Sequence, residues 1–451
     1  MQASKEKLGT AKIPKLLFSM GFPAVVAQIV NLLYNIVDRI YIGHIPEIGT
    51  NALTGVGLTM PIIIIVASFS GFVGGGGAPL ASIALGEGDK KRAETILANG
   101  FSLILFFTAV LIPVIFAVKK WALYKIGASD ATFGYADEYL SIYLIGTLFV
   151  LITVGLNTFI TAQGKAAEAM ISVVIGAVIN IILDPILIYI FDMGVKGAAI
   201  ATVFSQFCSA VWVMVILLRK NTFLRLKFSM MKPDLRIIGK IAALGVSPFI
   251  MQATESFVTI ALNSGLKTYG GDIYVGSLTV LQSVMQIITV PISGFTTGTQ
   301  PIISYNYGAG NTQRVKKTFV GVLIVSMAYT VPLTLCAILF PGVFAGIFSE
   351  DPALIAIIAK VLPIFIAGML VFGLQMTCQH AFLGMGQAKF SIFIALLRKV
   401  ILLIPLAIIL PRVTGNVMGI YFAEPISDSI SAITCTVLFL TNFNKILSQR
   451  R

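Results

Sequence analysis

The chain has 451 residues, is 57% hydrophobic and 11% charged, and carries a formal net charge of +13. A soluble protein of this length needs far more charged surface, and a mean hydropathy of +0.94 belongs to a polytopic membrane protein. The basic excess follows the two sides of a membrane rather than a nucleic-acid footprint, so no nucleic-acid partner is expected.

Twelve apolar stretches of about 20 residues, the length a helix needs to cross a bilayer core, are predicted along the chain. They lie near 16–37, 51–74, 94–118, 139–160, 168–190, 196–218, 238–262, 273–299, 317–345, 353–381, 389–410 and 417–441. They are continuous rather than alternating, which excludes membrane-barrel strands. The expected fold class is all-α integral membrane. The leading MQASKEKLGTAKIPK is basic, but the stretch behind it is long, polar at Asn31, Asn35 and Asp38, and lacks an evident cleavage site. A retained first helix is expected. Pro23 is its kink candidate, and Tyr34 stands one turn before Asp38 on the same face. Asp38 adjoins Arg39, so an interfacial ion pair is the alternative to a functional role.

GGGG (74–77) is no phosphate loop, since no Gly-Lys-Ser/Thr follows; its plainer role is close helix approach. GEGD (86–89) matches the GxGD of intramembrane aspartyl proteases, but it lies in a polar loop before KKR. A turn or helix start, which needs Gly freedom and a side-chain acceptor, explains it better. QGKA (163–166) lacks the rest of a nucleotide loop. No nucleotide engine is visible, so any work done across the membrane would have to draw on an ion gradient.

The fifth stretch contains NIILDPILI (180–188). Asn180 and Asp184 are four residues apart and share a helix face. Pro185 removes a backbone donor and disfavours helical geometry at Asp184, tending to free a carbonyl one turn back. Carboxylate, amide oxygen and carbonyl suit a hard cation such as Na+, and a buried carboxylate also suits a proton. The alternative is an aspartate hydrogen-bonded into a helix interface. Thr202 adds a hydroxyl in the sixth stretch. RKNTFLRLKFSMMKPDLRIIGK (219–240) then separates two halves, with expected bounds 1–218, a basic linker 219–237, and 238–451.

In the second half, Glu255 lies in the seventh stretch, and Glu424 and Asp428 are one turn apart in the twelfth. Arg398 and Lys399 stand about nine residues into the eleventh, roughly 14 Å along a helix. Snorkelling is difficult from there, so one of them is expected to pair with Glu424 or Asp428; the alternative is a head group in a wet cleft. Intramembrane charges are costly and mark functional candidates. The four cysteines lie in apolar stretches without metal spacing, and His44 and His380 form no metal motif. With the N-terminus inside, cytoplasmic segments and the adjoining span ends hold 22 Lys/Arg, the opposite side holds 8 including Lys360, and Arg398 and Lys399 lie deep within a span. That is the positive-inside pattern, placing both termini in the cytoplasm.

The halves repeat. LGEGDKKRA (85–93) aligns with YGAGNTQRV (307–315), QGKA with MGQA (385–388), and VKGAAIATVFSQ (195–206) with VMGIYFAEPISD (417–428), each at a shift of 222. Near the start of each half the shift is 224, pairing Gly21 with Gly245. Glu424 thus takes the place of Thr202, and Glu255 that of Asn31, whereas Asp184 has no acidic counterpart. Six spans per half give both halves one orientation, an arrangement common in secondary transporters.

VDRIYIG (37–43), PLASIALGEGDKKRA (79–93), QGKA, NIILDPILI, VKGAAIAT (195–202), TQPIISYNYGAGNTQRV (299–315) and GMGQAKFSI (384–392) together resemble the multidrug and toxic compound extrusion (MATE) family, over essentially the whole chain. The resemblance implies twelve helices in two six-helix bundles forming a V. It also implies export of amphipathic, mainly cationic drugs from a bacterial plasma membrane by a non-enzymatic monomer, with no cofactor beyond inward Na+ or H+. The family's first-lobe cation site maps onto Asp38, Asn180, Asp184 and Thr202, with Tyr34 and Tyr139 as neighbours. Glu255 matches the span-seven glutamate that some branches use for coupling. Those branches often carry an aspartate in span ten, but VFGLQMTCQHAFLG (371–384) offers Gln375, Gln379 and His380. A second ion site would then need Glu424 or Asp428. The rival within the wider superfamily is a lipid-linked oligosaccharide flippase, which needs a strongly basic cavity. A channel needs a symmetric selectivity element, and none is evident.

Overall fold

Apolar runs of this length satisfy their backbone groups internally as helices, because lipid offers no hydrogen-bond partner. The computed structural model describes residues 7–220, 222–348 and 350–449, and these contain helices and no strand. In chain order the spans of the first half are α1 (Ile13–Gly43), α2 (Gly49–Gly86), α3 (Lys90–Ile126), α4 (Asp130–Ile145 with Thr147–Ala162), α5 (Ala166–Ile190) and α6 (Gly194–Leu218). Those of the second are α7 (Leu235–Gly270), α8 (Asp272–Gly308), α9 (Thr312–Leu339), α10 (Pro352–Phe365 with Met369–Gly384), α11 (Ala388–Thr414) and α12 (Met418–Ser448). Ten are single helices long and apolar enough to cross a membrane, while α4 and α10 are pairs bent by 61° and 45°. Large apolar side chains such as Phe18, Ile190, Val413 and Leu440 lie on the outside, each more than half exposed, as a bilayer requires. The chain is a multi-pass membrane protein.

Three differences from the expected spans have local causes. The stretches at 139–160 and 353–381 are not straight. α4 bends at Gly146, where a side chain would collide with Val203, and α10 bends just before Gly368, where it would collide with Asp428. The stretch at 317–345 ends as α9 at Leu339 and restarts as a short helix at Pro341–Phe348. Pro341 pushes its predecessor off helical geometry, and Phe340 sits at φ −123°, ψ 50°. Finally, Pro185 does not break α5. The helix continues as a π-helical turn over Ile186–Ile190, and further π segments occupy Ile152–Leu156 and Leu397–Leu403.

The internal repeat reappears in the helix starts. Asp89 caps α3 by accepting the Arg92 N–H at 2.9 Å, and Asn311 caps α9 by accepting the Arg314 N–H at 3.2 Å. The preceding glycines, Gly88 and Gly310, have φ of +80° and +71°. GEGD is therefore a helix start, with the turn and the acceptor that start needs. Helix pairing repeats as well: α2 with α3, α4 with α6 and α5 with α6 have counterparts in α8 with α9, α10 with α12 and α11 with α12.

Packing divides the chain into two compact units, Met1–Thr10 with Val26–Phe249, and Ala11–Val25 with Ile250–Arg451. α1 and α7 are each shared between units, and Pro23 and Pro248 stand inside them just before the divisions. Within the first unit the four glycines at 74–77 let α2 meet its neighbours backbone to backbone. A Cβ on Gly76 would lie 2.1 Å from the Ile241 carbonyl oxygen, and one on Gly245 would lie 2.0 Å from that of Phe72. Backbone atoms cannot rotate aside, so Gly245→Ala is expected to cost about 1–3 kcal/mol by overpacking. The expected readout is a lower melting temperature in detergent. Gly57→Ala, which would meet nothing within 4 Å, should leave that temperature at or above the wild-type value.

Candidate functional site

In the first unit, α1, α4, α5 and α6 bring together the polar residues singled out above. The four-residue spacing of Asn180 and Asp184 places them on one face of α5, where Asn180 Nδ2 donates to Asp184 Oδ1 at 3.1 Å. Both are fully buried, and Asp38 on α1 is 6% exposed. The Asp38 and Asp184 side chains lie within hydrogen-bonding reach of each other. Arg39, the alternative partner of Asp38, is exposed.

Tyr139 on α4 reaches Thr202 on α6, and Tyr34 completes the wall from α1. Gln206, one turn beyond Thr202, reaches Tyr34; sequence reasoning did not single it out, although its i+4 spacing from Thr202 was the available signal. The π turn after Pro185 is tied to α1 by the Tyr189 hydroxyl, which donates to the Tyr41 carbonyl at 2.7 Å. Apolar packing of Ile42, Val56, Tyr143 and Ile188 closes one side.

The electrostatics of this group are simple. Asp38 Oδ1, Asn180 Oδ1 and Asp184 Oδ2 are buried oxygens with no hydrogen-bond donor among the described residues. Two ionised carboxylates at such a contact repel strongly in a low dielectric unless a proton or a cation is shared between them. A carboxylate pair, an amide oxygen and the neighbouring hydroxyls are the ligand types a hard cation takes.

The second unit holds a different arrangement. Arg398 and Lys399, 7% and 5% exposed, lie in the π segment of α11. Arg398 Nε donates to Asp428 Oδ1 at 2.6 Å, and its Nη2 is 3.8 Å from Glu424 Oε1. The guanidinium also faces the Phe372 ring at 5.3 Å. Ser427 Oγ donates to the Arg398 carbonyl at 2.6 Å, satisfying an acceptor in the π segment. The expected pairing of one basic residue with Glu424 or Asp428 thus falls to Arg398, which reaches both. Lys399 turns instead to α7, with its Nζ 2.9 Å from Glu255 Oε2. This second pair was missed, because nothing in the sequence aligns α7 with α11. Glu255 is 44% exposed at its side chain, so this end of the cluster opens outward while Glu424 and Asp428 stay buried. Three acids face two bases, and one negative charge remains uncompensated if all are ionised.

A family model described as MatE matches residues 23–186 and 248–409. The multidrug export protein MepA of Staphylococcus saprophyticus subsp. saprophyticus is 25% identical over 420 residues, 92% of this chain and 91% of that one. MepA of Staphylococcus aureus is 24% identical over 429 residues, 94% of this chain and 93% of the other. Among solved structures, MATE in the bent conformation matches with a TM-score of 0.91 at 21% identity over 99% of both chains. A MOP superfamily transporter from Pyrococcus furiosus, described as having a binding pocket of reverse polarity, matches at 0.88 with 22% identity over 98% of both. At these identities the structural likenesses establish the fold.

Proposed function

The chain belongs to the MatE family, and from that premise we propose that it is a secondary active multidrug exporter. It moves amphipathic, mainly cationic compounds outward across a bacterial plasma membrane in exchange for Na+ or H+. The observation that carries this reading is the buried approach of Asp38 to Asp184, beside Asn180, with Asp38 Oδ1, Asn180 Oδ1 and Asp184 Oδ2 meeting no donor among the described residues. Such a pair favours uptake of a proton or a cation, because two buried carboxylates this close resist being ionised together. Thr202, Tyr34 and Tyr139 line the same site. The multidrug export function named for the MepA relatives supports the substrate class.

The mechanism is alternating access. The coupling ion enters the Asp38–Asp184 site from outside and favours one orientation by its differential binding; an ion bound equally in both would move nothing. Pro185 and its π turn, joined to α1 through Tyr189 and Tyr41, pass that preference to the helix carrying Asp38 and Pro23. Glu255, Glu424 and Asp428, with Arg398 and Lys399 as counter-charges, are the second candidate group for coupling or drug contact. The protein acts as a monomer with both termini in the cytoplasm. A lipid-linked oligosaccharide flippase would need a basic surplus, whereas the buried charges named here favour a cation.

The test is ethidium efflux from vesicles containing the purified protein, with Na+ and pH gradients imposed separately. Export driven by one of the two gradients is expected. Ethidium movement indifferent to both would overturn the reading.

A further inference from the structure

The two halves treat one equivalent face in opposite ways. In the first unit the segment leading into α7 is strapped onto α3. Lys227 Nζ meets the buried Glu94 at 2.6 Å, the Asp234 N–H donates to Asn99 Oδ1 at 2.8 Å, and Ser102 Oγ donates to the Met231 carbonyl at 3.0 Å. At the shift of 222 that aligns the caps of α3 and α9, these three residues correspond to Lys316, Gly321 and Ile324. The acid has become a base, the amide has become a glycine, and the hydroxyl has become an alkyl group. None of the strap's attachments survives the substitution.

In the second unit that face of α9 lines a cavity of about 800 Å³ against the first half of α1. Its walls are apolar, with Leu17 and Phe18 from α1, Phe295 from α8, and Gly321 and Ile324 from α9. Gly321 lets Leu17 pack against the α9 backbone, where a Cβ would lie 2.7 Å from the Leu17 Cδ1. Lys316 and Lys317 form one end, and both are exposed. Phe18 is 68% and Ile324 62% exposed, and no described segment crosses them. The chain before α1, which is the counterpart of the strap, is held at the start of α9 by Arg314 Nη2, which donates to the Ala11 carbonyl at 2.8 Å, and carries Leu8 to the Gly164 turn in the first unit.

We propose that this cavity binds one anionic phospholipid, its phosphate held by Lys316 and Lys317 and its acyl chains lying between α1 and α9. The dimensions match. Lys316 and Ile324 are eight residues apart, roughly 12 Å along a helix, about the depth from headgroup to upper acyl chain. Paired lysines just cytoplasmic of an apolar surface attract anionic lipid, and the walls lie in a protein that spans the bilayer, where lipid is the neighbour at hand. The exchange of Glu94 for Lys316 between the halves is the change such a ligand requires.

The test is native mass spectrometry of the full-length protein released from mixed micelles holding equal palmitoyl-oleoyl phosphatidylglycerol and phosphatidylcholine. The wild type should retain phosphatidylglycerol over phosphatidylcholine by roughly tenfold, as two lysines near a headgroup allow. Lys316→Ser with Lys317→Ser should abolish that preference but still retain lipid. Ile324→Trp, which fills the cavity from a wall position that is 62% exposed, should lose retained lipid of both kinds. Circular dichroism and melting temperature confirm that the variants are folded. An unselective wild type, or a preference unchanged in the double lysine variant, overturns the proposal. So does displacement of the ligand by millimolar inorganic phosphate, which would indicate a soluble anion. A dimer that dissociates in the lysine variant would give the face to a second copy and equally defeat it.

Discussion

Asp184→Asn, in vesicles holding the full-length protein, is expected to lower gradient-driven ethidium export by roughly tenfold or more, the scale of a typical coupling free energy. The substitution conserves volume and leaves an oxygen in the place that accepts from Asn180 Nδ2 at 3.1 Å. Folding should therefore be little affected. What the amide cannot do is carry charge or exchange a proton, so the contact with Asp38 no longer demands a cation. The ion then gains little by binding in either orientation, and an ion without a preference between states drives no transition. Ethidium should still bind, and its dissociation constant in the absence of a gradient should stay within a few fold of wild type. The same variant should also lose the gradient-dependent change in an environment-sensitive label on α5. Export that persists at the wild-type rate would remove Asp184 from coupling and leave the aspartate as an interface residue.

Arg398→Met should be among the most destabilising single changes in the second unit, at about 3–5 kcal/mol. Arg398 is the group that both Glu424 and Asp428 face, and these carboxylates are 2% and 1% exposed. Methionine fills the space of the side-chain stem but leaves Asp428 buried without its partner and Glu424 with the field of Lys399 alone. The cost comes from the stranded acids rather than from the lost pair itself. Adding Glu424→Gln and Asp428→Asn should therefore restore most of the lost stability, measured as melting temperature in detergent. If the triple variant melts no higher than Arg398→Met, the loss lies in packing, for example against Phe372, and the electrostatic account fails. Lys399→Met should cost less, because its partner Glu255 is 44% exposed at the side chain and water can take the place of the lost pair.

Which parts of this were legible beforehand depended on whether the signal was local. The pairing of Asn180 with Asp184 follows from a four-residue spacing, and the helix starts at Asp89 and Asn311 from matching polar loops in the two halves. The division into twelve spans follows from apolar length alone. The meeting of Asp38 with Asp184 joins residues on α1 and α5, and no pattern within either helix encodes it; only family resemblance placed them together. Lys399 with Glu255 had no such help and was not foreseen. The π segments were invisible for another reason. Widening a helix by one residue per turn leaves composition unchanged, so LRKVILL reads like any apolar run with two charges. The bend in α4 was hidden in the same way, because Gly146 inside an apolar stretch equally fits a straight helix touching a neighbour.

The sharing of α1 between the two units bears on biosynthesis. Residues Ala11–Val25 are made early, yet the rest of their unit begins only at Ile250. At the usual rate of translation that interval lasts roughly 10 to 45 s. During it, Leu16, Leu17 and Met20, all buried in the finished protein, have lipid in place of their eventual neighbours. An apolar face waits in a bilayer at little cost, whereas the same face in water would aggregate. A helix that joins its unit so late is therefore affordable only because the solvent around it is lipid.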